Sequence, residues 1–233
     1  RDTRDGFSEV LGRLEEMTSL LGVVFISAKE ASFIVLADLH MLERFRSPTE
    51  VRSISRRAHR LLWRINTLDV PTVAAIEGPC MGGGLEMTLG CDYRLASTHE
   101  STRLALPEVK LGLLPGGGGT QYLPRLIGVQ EALTMMLTGK NTYPRKARTL
   151  GLVDALIHPP GLHEAAKRAV RQLVNGNLSV NHETETLTNR ILKNNPLSRR
   201  IIYRQARRRA EARTNGNYPA PRRIVHAVRK GME

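Results

Sequence analysis

Apolar residues recur at helical spacing along most of the chain, and short runs rich in β-branched residues separate these segments. The helical spacing predicts helices over 6–21, 47–68, 85–91, 120–126, 129–137, 144–150, 162–175, 196–213 and 221–231. The apolar runs predict strands over 23–27, 72–76, 93–96 and 153–157, with a further apolar stretch at 33–36. Short strands that alternate with helices are typical of a layered α/β fold.

The segment 71–92, PTVAAIEGPCMGGGLEMTLGCD, leads from an apolar strand through a glycine-rich turn, 78–84, into a helix. The first N–H groups of a helix have no partner within it, and the helix dipole favours negative charge beside them. This geometry suits a developing oxyanion. The segment fits neither a phosphate-binding P-loop nor a GxGxxG dinucleotide motif. A flexible turn without a function is the alternative, which the glycines alone leave open.

Two glutamates flank the glycine-rich segments. Glu86 lies in the first turn of the predicted helix 85–91, where an acidic residue also compensates the helix dipole without any catalytic role. Glu108 lies in LALPEVKLGLLPGGGG, between apolar residues. A carboxyl group in apolar surroundings has a raised pKa, as a proton donor needs. A surface glutamate at the start of a helix is the alternative for Glu108.

Residues 71–154 resemble the crotonase (enoyl-CoA hydratase/isomerase) family in the order and spacing of their motifs. The matching stretches are AAIEGPCMGGGLEMTLGCDYRLAS, LALPEVKLGLLPGGGGTQYLPRLIG and ALTMMLTGKNTYPRKARTLGLVDAL. Within the family, the stretches LPRLIG and LTGK are most similar to the hydratase region of the multifunctional alpha subunits of fatty-acid oxidation. RTNGNYPAPRRIVHAVRKG resembles the segment that links this region to a dehydrogenase region, so the resemblance runs from about residue 7 to residue 233.

The resemblance implies a ββα spiral fold and the reversible hydration of a trans-2-enoyl-CoA to a 3-hydroxyacyl-CoA. It implies that Ala37 and Gly83 donate the two oxyanion N–H groups. Glu86 would activate water, and Glu108 would protonate C2. A shift of a double bond between C3 and C2 is a second activity of this family. The residues implied to bind the substrate are Asp38, Leu39, Gly84, Pro115 and Gly116.

The chain departs from the family pattern in two places. Family members usually read F-x-A-G-A-D-L at the first oxyanion loop, and this chain reads FIVLADL, with Leu36 in place of the glycine. If that position has a positive φ, leucine costs roughly 1 kcal/mol or more. The resemblance also implies two further strands before residue 1. We therefore expect an N-terminally truncated hydratase domain over 1–175 and a basic helical extension over 176–233.

Composition limits the remaining possibilities. The two cysteines, Cys80 and Cys91, form no disulfide framework or zinc motif, which favours a reducing compartment. No apolar run reaches the roughly 18 residues of a membrane span. The implied reaction needs no metal or redox cofactor, and the implied partners are an acyl-CoA and either a thiolase beta subunit or a second copy of the chain. The expected location is the bacterial cytoplasm or the mitochondrial matrix.

The net charge of +13 is concentrated near one end. Residues 190–233 hold 13 Lys and Arg residues against two acidic residues, and so contribute +11. An exposed helix face explains this charge, and so does binding to an acidic partner. The alternative function is therefore a catalytically impaired crotonase-fold protein that serves as a binding or scaffold subunit for RNA or a ribonucleoprotein.

Overall fold

A computed structural model describes residues 3–35, 46–180, 201–206, 208 and 218–232. Within these ranges the strands are β1 Val23–Ile26, β2 Ile34–Val35, β3 Thr72–Ile76, β4 Pro79–Met81, β5 Tyr93–Ser97, β6 Arg103–Ala105 and β7 Ala155–Ile157. The α-helices are α1 Thr3–Glu16, α2 Pro48–Asn66, α3 Gly83–Leu89, α4 Gly119–Ile127, α5 Val129–Thr138, α6 Pro144–Leu150, α7 Leu162–Val174 and α8 Pro219–Met232. Two short 3₁₀ helices cover Pro107–Leu111 and Pro159–Gly161, and residues 201–206 are also helical.

The described strands form two parallel sheets, in the orders β1-β3-β5-β7 and β2-β4-β6. The chain repeatedly passes through one strand of the first sheet, one strand of the second sheet and then a helix. This repeat is the ββα spiral that the family resemblance implies. All five residues of β3 are buried, as expected for a central parallel strand that is covered on both faces.

Two hydrophobic clusters cover the faces of the four-stranded sheet. The smaller cluster joins Val73, Ala75 and Leu95 of the sheet to the apolar face of α7. The larger cluster lies on the other face and includes Leu85 of α3, Leu106 beside Glu108, and residues of α4, α5 and α8. The helices that border the glycine-rich segments therefore pack on one shared core, which fixes their relative positions.

A buried ion pair joins three parts of the chain. Arg94 of β5 is 1% exposed, and its Nη2 lies 3.2 Å from Oδ2 of Asp154. Its Nε and Nη1 donate to the carbonyl oxygens of Leu152 and Cys91, at 3.1 and 2.6 Å. The guanidinium therefore links the end of α3 to β5 and to the segment before β7.

The structure corrects two predicted elements. Helix α1 ends at Glu16, several residues before the predicted end at 21, because the chain must turn there into β1. That approach is tight: a Cβ on Gly22 would lie 2.8 Å from the carbonyl oxygen of Pro71. The predicted turn 78–84 contains the strand β4, and the apolar stretch 33–36 contains β2. Strands of two and three residues are too short to show a period in the sequence.

The described C-terminal helix belongs to the larger cluster. Helix α8 buries Ala220, Ile224, Val225 and Val228 there. The predicted linker and most of the predicted helix 196–213 lie outside the described residues, so the boundary near residue 175 stays a prediction. None of the helices that the structure describes combines the length and hydrophobicity that a bilayer crossing requires.

Candidate active site

Gly83 is the first residue of α3, directly after the turn that leaves β4. Gly82 has a φ of 57°, and its N–H donates to the carbonyl oxygen of Ala105 at 2.9 Å. Gly83 is exposed, and a Cβ at this position would meet no atom within 4 Å. As a first-turn group, its N–H has no partner within the helix. The structure therefore leaves free space beside an N–H group that is able to donate to a ligand.

Gly84 has a different environment from Gly83. It is buried, and a Cβ on Gly84 would overlap the carbonyl oxygen of Ile34 in β2. The absence of a side chain at Gly84 therefore lets α3 approach the second sheet closely. Packing accounts for this glycine, whereas its implied contact with a substrate stays a prediction.

Glu86 lies on the buried side of α3 and is only 4% exposed. The N–H of Gly117 donates to both carboxylate oxygens at 2.9 Å, and the N–H of Gly119 donates to Oε1 at 2.7 Å. Burial raises the pKa of Glu86, and the backbone N–H groups of Gly119, Gly117 and Gly118 oppose that rise. Glu86 therefore lies in the first turn of α3, as the dipole-compensating reading has it, and it also binds the second glycine-rich run, while its catalytic role stays a prediction.

Glu108 lies in the first turn of the 3₁₀ helix Pro107–Leu111 and is 8% exposed. The alternative reading as a surface glutamate is therefore wrong. Its Oε2 is buried and has no hydrogen-bond partner among the described residues. Burial, followed by the negative charge of Glu86, raises the pKa of Glu108 to about 8. Glu108 thus carries a proton at neutral pH, as the apolar sequence around it predicts.

A Cβ on Gly119 would lie 3.0 Å from Oε1 of Glu86 and 3.1 Å from Cδ1 of Leu106, so the segments that carry the two glutamates meet at Gly119. The negative charge of Glu86 adds to the rise in the pKa of Glu108. The sequence places the two glutamates 22 positions apart and does not fix their distance in the fold. One of the two carboxyl groups is surrounded by N–H donors, and the other carries an oxygen without a donor. Two buried carboxyl groups with different hydrogen-bond environments are suited to general acid–base chemistry.

The second glycine-rich run supplies residues that the sequence analysis did not assign. Gly117 and Gly119 hold Glu86, and their lack of side chains is required, because a Cβ on Gly117 would lie 2.7 Å from Oε2 of Glu86. The implied substrate residue Gly116 accepts a 2.6 Å hydrogen bond from Oγ of Ser55 in α2. Pro115 is buried beside Gly119. The run GGGG in the sequence indicates this loop, but it does not indicate that the loop binds Glu86.

The other implied residues of the oxyanion loop, Ala37, Asp38 and Leu39, lie outside the described residues, as does Leu36. The strand that leads towards them is described. In the parallel pair β2 and β4, Ile34 lies opposite Cys80 and Val35 lies opposite Met81. Val35 is two residues before Ala37, and Met81 is two residues before Gly83.

The cysteines take no part in this site. Cys80 and Cys91 are buried free thiols, and burial raises the pKa of both, that of Cys91 to about 12. Within the described ranges, no group of three or more His, Cys, Asp and Glu side chains is arranged to hold a metal ion. Half of the basic segment 190–233 lies outside the described residues, and its proposed contact with RNA stays a prediction.

Known proteins match this chain over nearly its full length. Residues 1–210 match the family model described as enoyl-CoA hydratase/isomerase. The chain is 41% identical over 225 residues to the fatty acid oxidation complex subunit alpha of Shewanella halifaxensis, and 41% identical over 225 residues to that of Shewanella frigidimarina. These alignments cover 97% of this chain but only 31% of each relative, so the chain spans about a third of their length.

Solved structures share the fold. An enoyl-CoA hydratase of Geobacillus kaustophilus superposes with a TM-score of 0.70 and 32% identity, over 74% of this chain and 64% of that chain. DspI of Pseudomonas aeruginosa superposes with a TM-score of 0.69 and 30% identity, over 77% of this chain and 71% of that chain. The implied crotonase fold is thereby confirmed. From the match over residues 1–210, the shared fold and the paired glutamates beside Gly83, we conclude that the chain belongs to the enoyl-CoA hydratase/isomerase family.

Proposed function

We propose that this chain hydrates trans-2-enoyl-CoA thioesters to 3-hydroxyacyl-CoA thioesters, reversibly, as part of fatty-acid β-oxidation. One observation carries the proposal: Glu86 and Glu108 are both buried carboxyl groups, of which Glu86 accepts backbone N–H groups and Glu108 has a buried oxygen without a donor in the described part of the chain. Hydration of an activated double bond needs both a group that activates water and a group that supplies a proton. Family membership gives the substrate class, since the matching model is named for this activity.

In the proposed reaction, the thioester oxygen accepts a hydrogen bond from the N–H of Gly83 while it gains enolate charge. Gly83 is exposed at the start of α3, so a ligand is able to approach this residue. Ala37 supplies the second N–H. The register of β2 with β4 supports this role. The two parallel strands end side by side at Val35 and Met81, which lie two positions before Ala37 and Gly83 respectively.

The two glutamates then divide the addition of water. Glu86, whose charge the N–H groups of Gly117 and Gly119 stabilise against the effect of burial, orients a water molecule and takes one of its protons as the oxygen bonds to C3. Glu108, which holds a proton at neutral pH, gives that proton to C2. One water is thereby added across the double bond, and the proton gained by Glu86 must pass back to Glu108, directly or through solvent, to restore the site. No metal or redox cofactor takes part. The same pair is able to move a proton between C2 and C4, which is the proposed isomerase activity.

The relatives suggest the wider context. They are named as alpha subunits of a bacterial fatty acid oxidation complex, so we propose a bacterial cytoplasmic location. The finer proposal is that this chain assembles with a thiolase beta subunit or with a second copy of itself. The bacterial relatives give no support to the mitochondrial alternative.

The direct test is the hydration of crotonyl-CoA and of longer enoyl-CoA thioesters by the purified chain. We expect turnover by the wild type, and Glu108→Gln is expected to lower kcat by roughly 10²–10⁴-fold, because the proton donor is lost. Glu100→Gln, which changes an exposed glutamate, is the matched control and is expected to retain activity. A folded wild-type chain that hydrates none of these thioesters would contradict the proposal.

A further inference from the structure

The C-terminal helix α8 and the residue before it contact the segment that carries Glu108 and the helix α4, whose first residue binds Glu86. At its start, Tyr218 lies against Gly112, and its hydroxyl oxygen would be 3.2 Å from a Cβ there. Gly112 has a φ of +78° and ends the 3₁₀ helix that carries Glu108. At its other end, α8 packs on α4, whose first residue is Gly119. A helix of 14 residues spans about 21 Å, which is enough to join the two segments.

Gln121 forms the contact between α8 and α4. Its Nε2 donates to the carbonyl oxygen of Ala227 at 3.1 Å. Its amide also lies flat against Gly231, because a Cβ on Gly231 would overlap all three terminal atoms of the Gln121 side chain. The amide therefore occupies a space that only glycine leaves open at position 231.

Arg125, one turn later in α4, completes the contact. Its Nη1 donates to the carbonyl oxygen of Gln121 at 2.6 Å, and its Nη2 donates to that of Gly231 at 2.5 Å. Carbonyl groups in the last turn of a helix have no partner within the helix, so this arginine satisfies one of them. The first turn of α4 is thus tied to the last turn of α8 through both a side chain and the backbone.

The same turn of α4 holds Glu86. Gln121 is two residues after Gly119, and its own N–H donates to the carbonyl oxygen of Gly118 at 2.8 Å. This bond couples the backbone at Gln121 to the Gly117–Gly119 loop. Hydrogen bonds of 2.7–2.9 Å to Glu86 leave little room for movement of this loop.

We propose that Gln121 is a positioning residue: docked on α8 at Ala227 and Gly231, it fixes the Gly117 and Gly119 N–H groups that hold Glu86. The inference rests on the proposed function for its catalytic meaning. The claim that Gln121 fixes the positions of the Gly117 and Gly119 amides does not depend on the proposed function. Helix α8 is accordingly part of the proposed catalytic assembly through its contact with Gln121.

Gly231→Ala tests the proposal, because the added methyl group displaces the Gln121 amide without opposing helix formation. Gln121→Met is the second variant, since it keeps the length of the side chain and removes the donor. Gly6→Ala is the matched control: it places the same methyl group in helix α1, where a Cβ meets nothing within 4 Å. Hydrogen–deuterium exchange of the Gly117 and Gly119 amides in the full chain is measured first, followed by the pH dependence of kcat with crotonyl-CoA.

We expect both test variants to speed exchange at Gly117 and Gly119 by roughly tenfold or more, and Gly6→Ala to leave it unchanged. We expect kcat to fall by roughly 10- to 100-fold with KM within about twofold, as for a misplaced catalytic group. The acid limb of the kcat profile should move to higher pH, because weaker N–H contacts make Glu86 easier to protonate.

Unchanged exchange at the two glycines in both test variants would overturn the proposal, and so would an equal change in Gly6→Ala. If no variant and no wild-type chain hydrates crotonyl-CoA, the proposed function fails. In that case, the hydrogen–deuterium exchange rates of Gly117 and Gly119 in the variants and the wild type still decide whether Gln121 fixes the Gly117–Gly119 loop.

Discussion

Gly117 donates its backbone N–H to both carboxylate oxygens of Glu86, at 2.9 Å to each. Glu108 has a contrasting environment, with a buried Oε2 that lacks a hydrogen-bond partner in the described part of the chain. Backbone amides stabilise the charge on Glu86, whereas apolar surroundings favour the proton on Glu108. Two chemically identical side chains thereby acquire different roles, and four predictions test this arrangement and the fold that supports it.

Removal of the negative charge on Glu86 should lower the pKa of Glu108. In Glu86→Gln, the like-charge repulsion that helps to raise this pKa is absent, so we expect the Glu108 pKa to lie below its value of about 8 but above that of an exposed glutamate, because burial persists. A carbon NMR titration of the Glu108 carboxyl group in both proteins measures the difference. An unchanged Glu108 pKa would show that the two carboxyl groups do not interact.

The stability of the protein should fall as the pH rises from the reference pKa of a glutamate towards the raised pKa of Glu108. Its pKa is raised in the folded state, from a reference of 4.5 to about 8, so between these pH values the folded state holds a proton that the unfolded state has lost. The free energy of unfolding therefore decreases with pH across this window, by at most about 1.4 kcal/mol per pH unit, and the slope vanishes above it.

Urea unfolding at several pH values, compared between wild type and Glu108→Gln, isolates this contribution. We expect the difference in unfolding free energy between the two proteins to grow from pH 5 to about pH 8, in favour of Glu108→Gln. A constant difference would mean that Glu108 titrates normally in the folded state.

Adjacent glycines in α3 should respond differently to the same substitution. Gly83→Ala adds a methyl group in free space, so we expect normal thermal stability together with a loss of kcat/KM, because the methyl group obstructs the approach of the thioester. Gly84→Ala places the methyl group against Ile34 and should destabilise the fold by about 1–3 kcal/mol. Thermal unfolding and the hydration assay on both variants separate these effects. Equal destabilisation by both substitutions would contradict the assignment.

The buried ion pair should support the fold without acting in the site. Asp154→Ala leaves the guanidinium of Arg94, 1% exposed, without its counter-ion, and we expect a loss of about 3–5 kcal/mol in the free energy of unfolding. Glu164→Ala removes an exposed carboxylate from its pair with Lys167 and is the control, with little expected change. Chemical denaturation measures the free energy of unfolding of both variants. Equal denaturation midpoints for Asp154→Ala and Glu164→Ala would contradict the structural role of Asp154.

Local features of the sequence were sufficient to predict most helices. The helices α2, α4, α5, α6 and α7 appear within a few residues of their predicted bounds, because an apolar stripe is a local signal, and a glycine directly follows α4, α5 and α6. The apolar residues near Glu108 in the sequence favour the burial that raises its pKa, whereas the charge of Glu86 adds to that rise only through the fold. The motifs around Gly83, Glu86 and Glu108 also identify the family.

The tertiary structure alone decided which groups meet. Gly117 holds Glu86 across 31 positions, and Gln121 contacts Ala227 across 106 positions. The second sheet depends on strands of two and three residues, which gain their hydrogen bonds only from each other. Composition and periodicity describe how a segment behaves by itself. The pairing of distant backbone groups depends on the packing of all elements on one core, and the sequence does not show that packing locally.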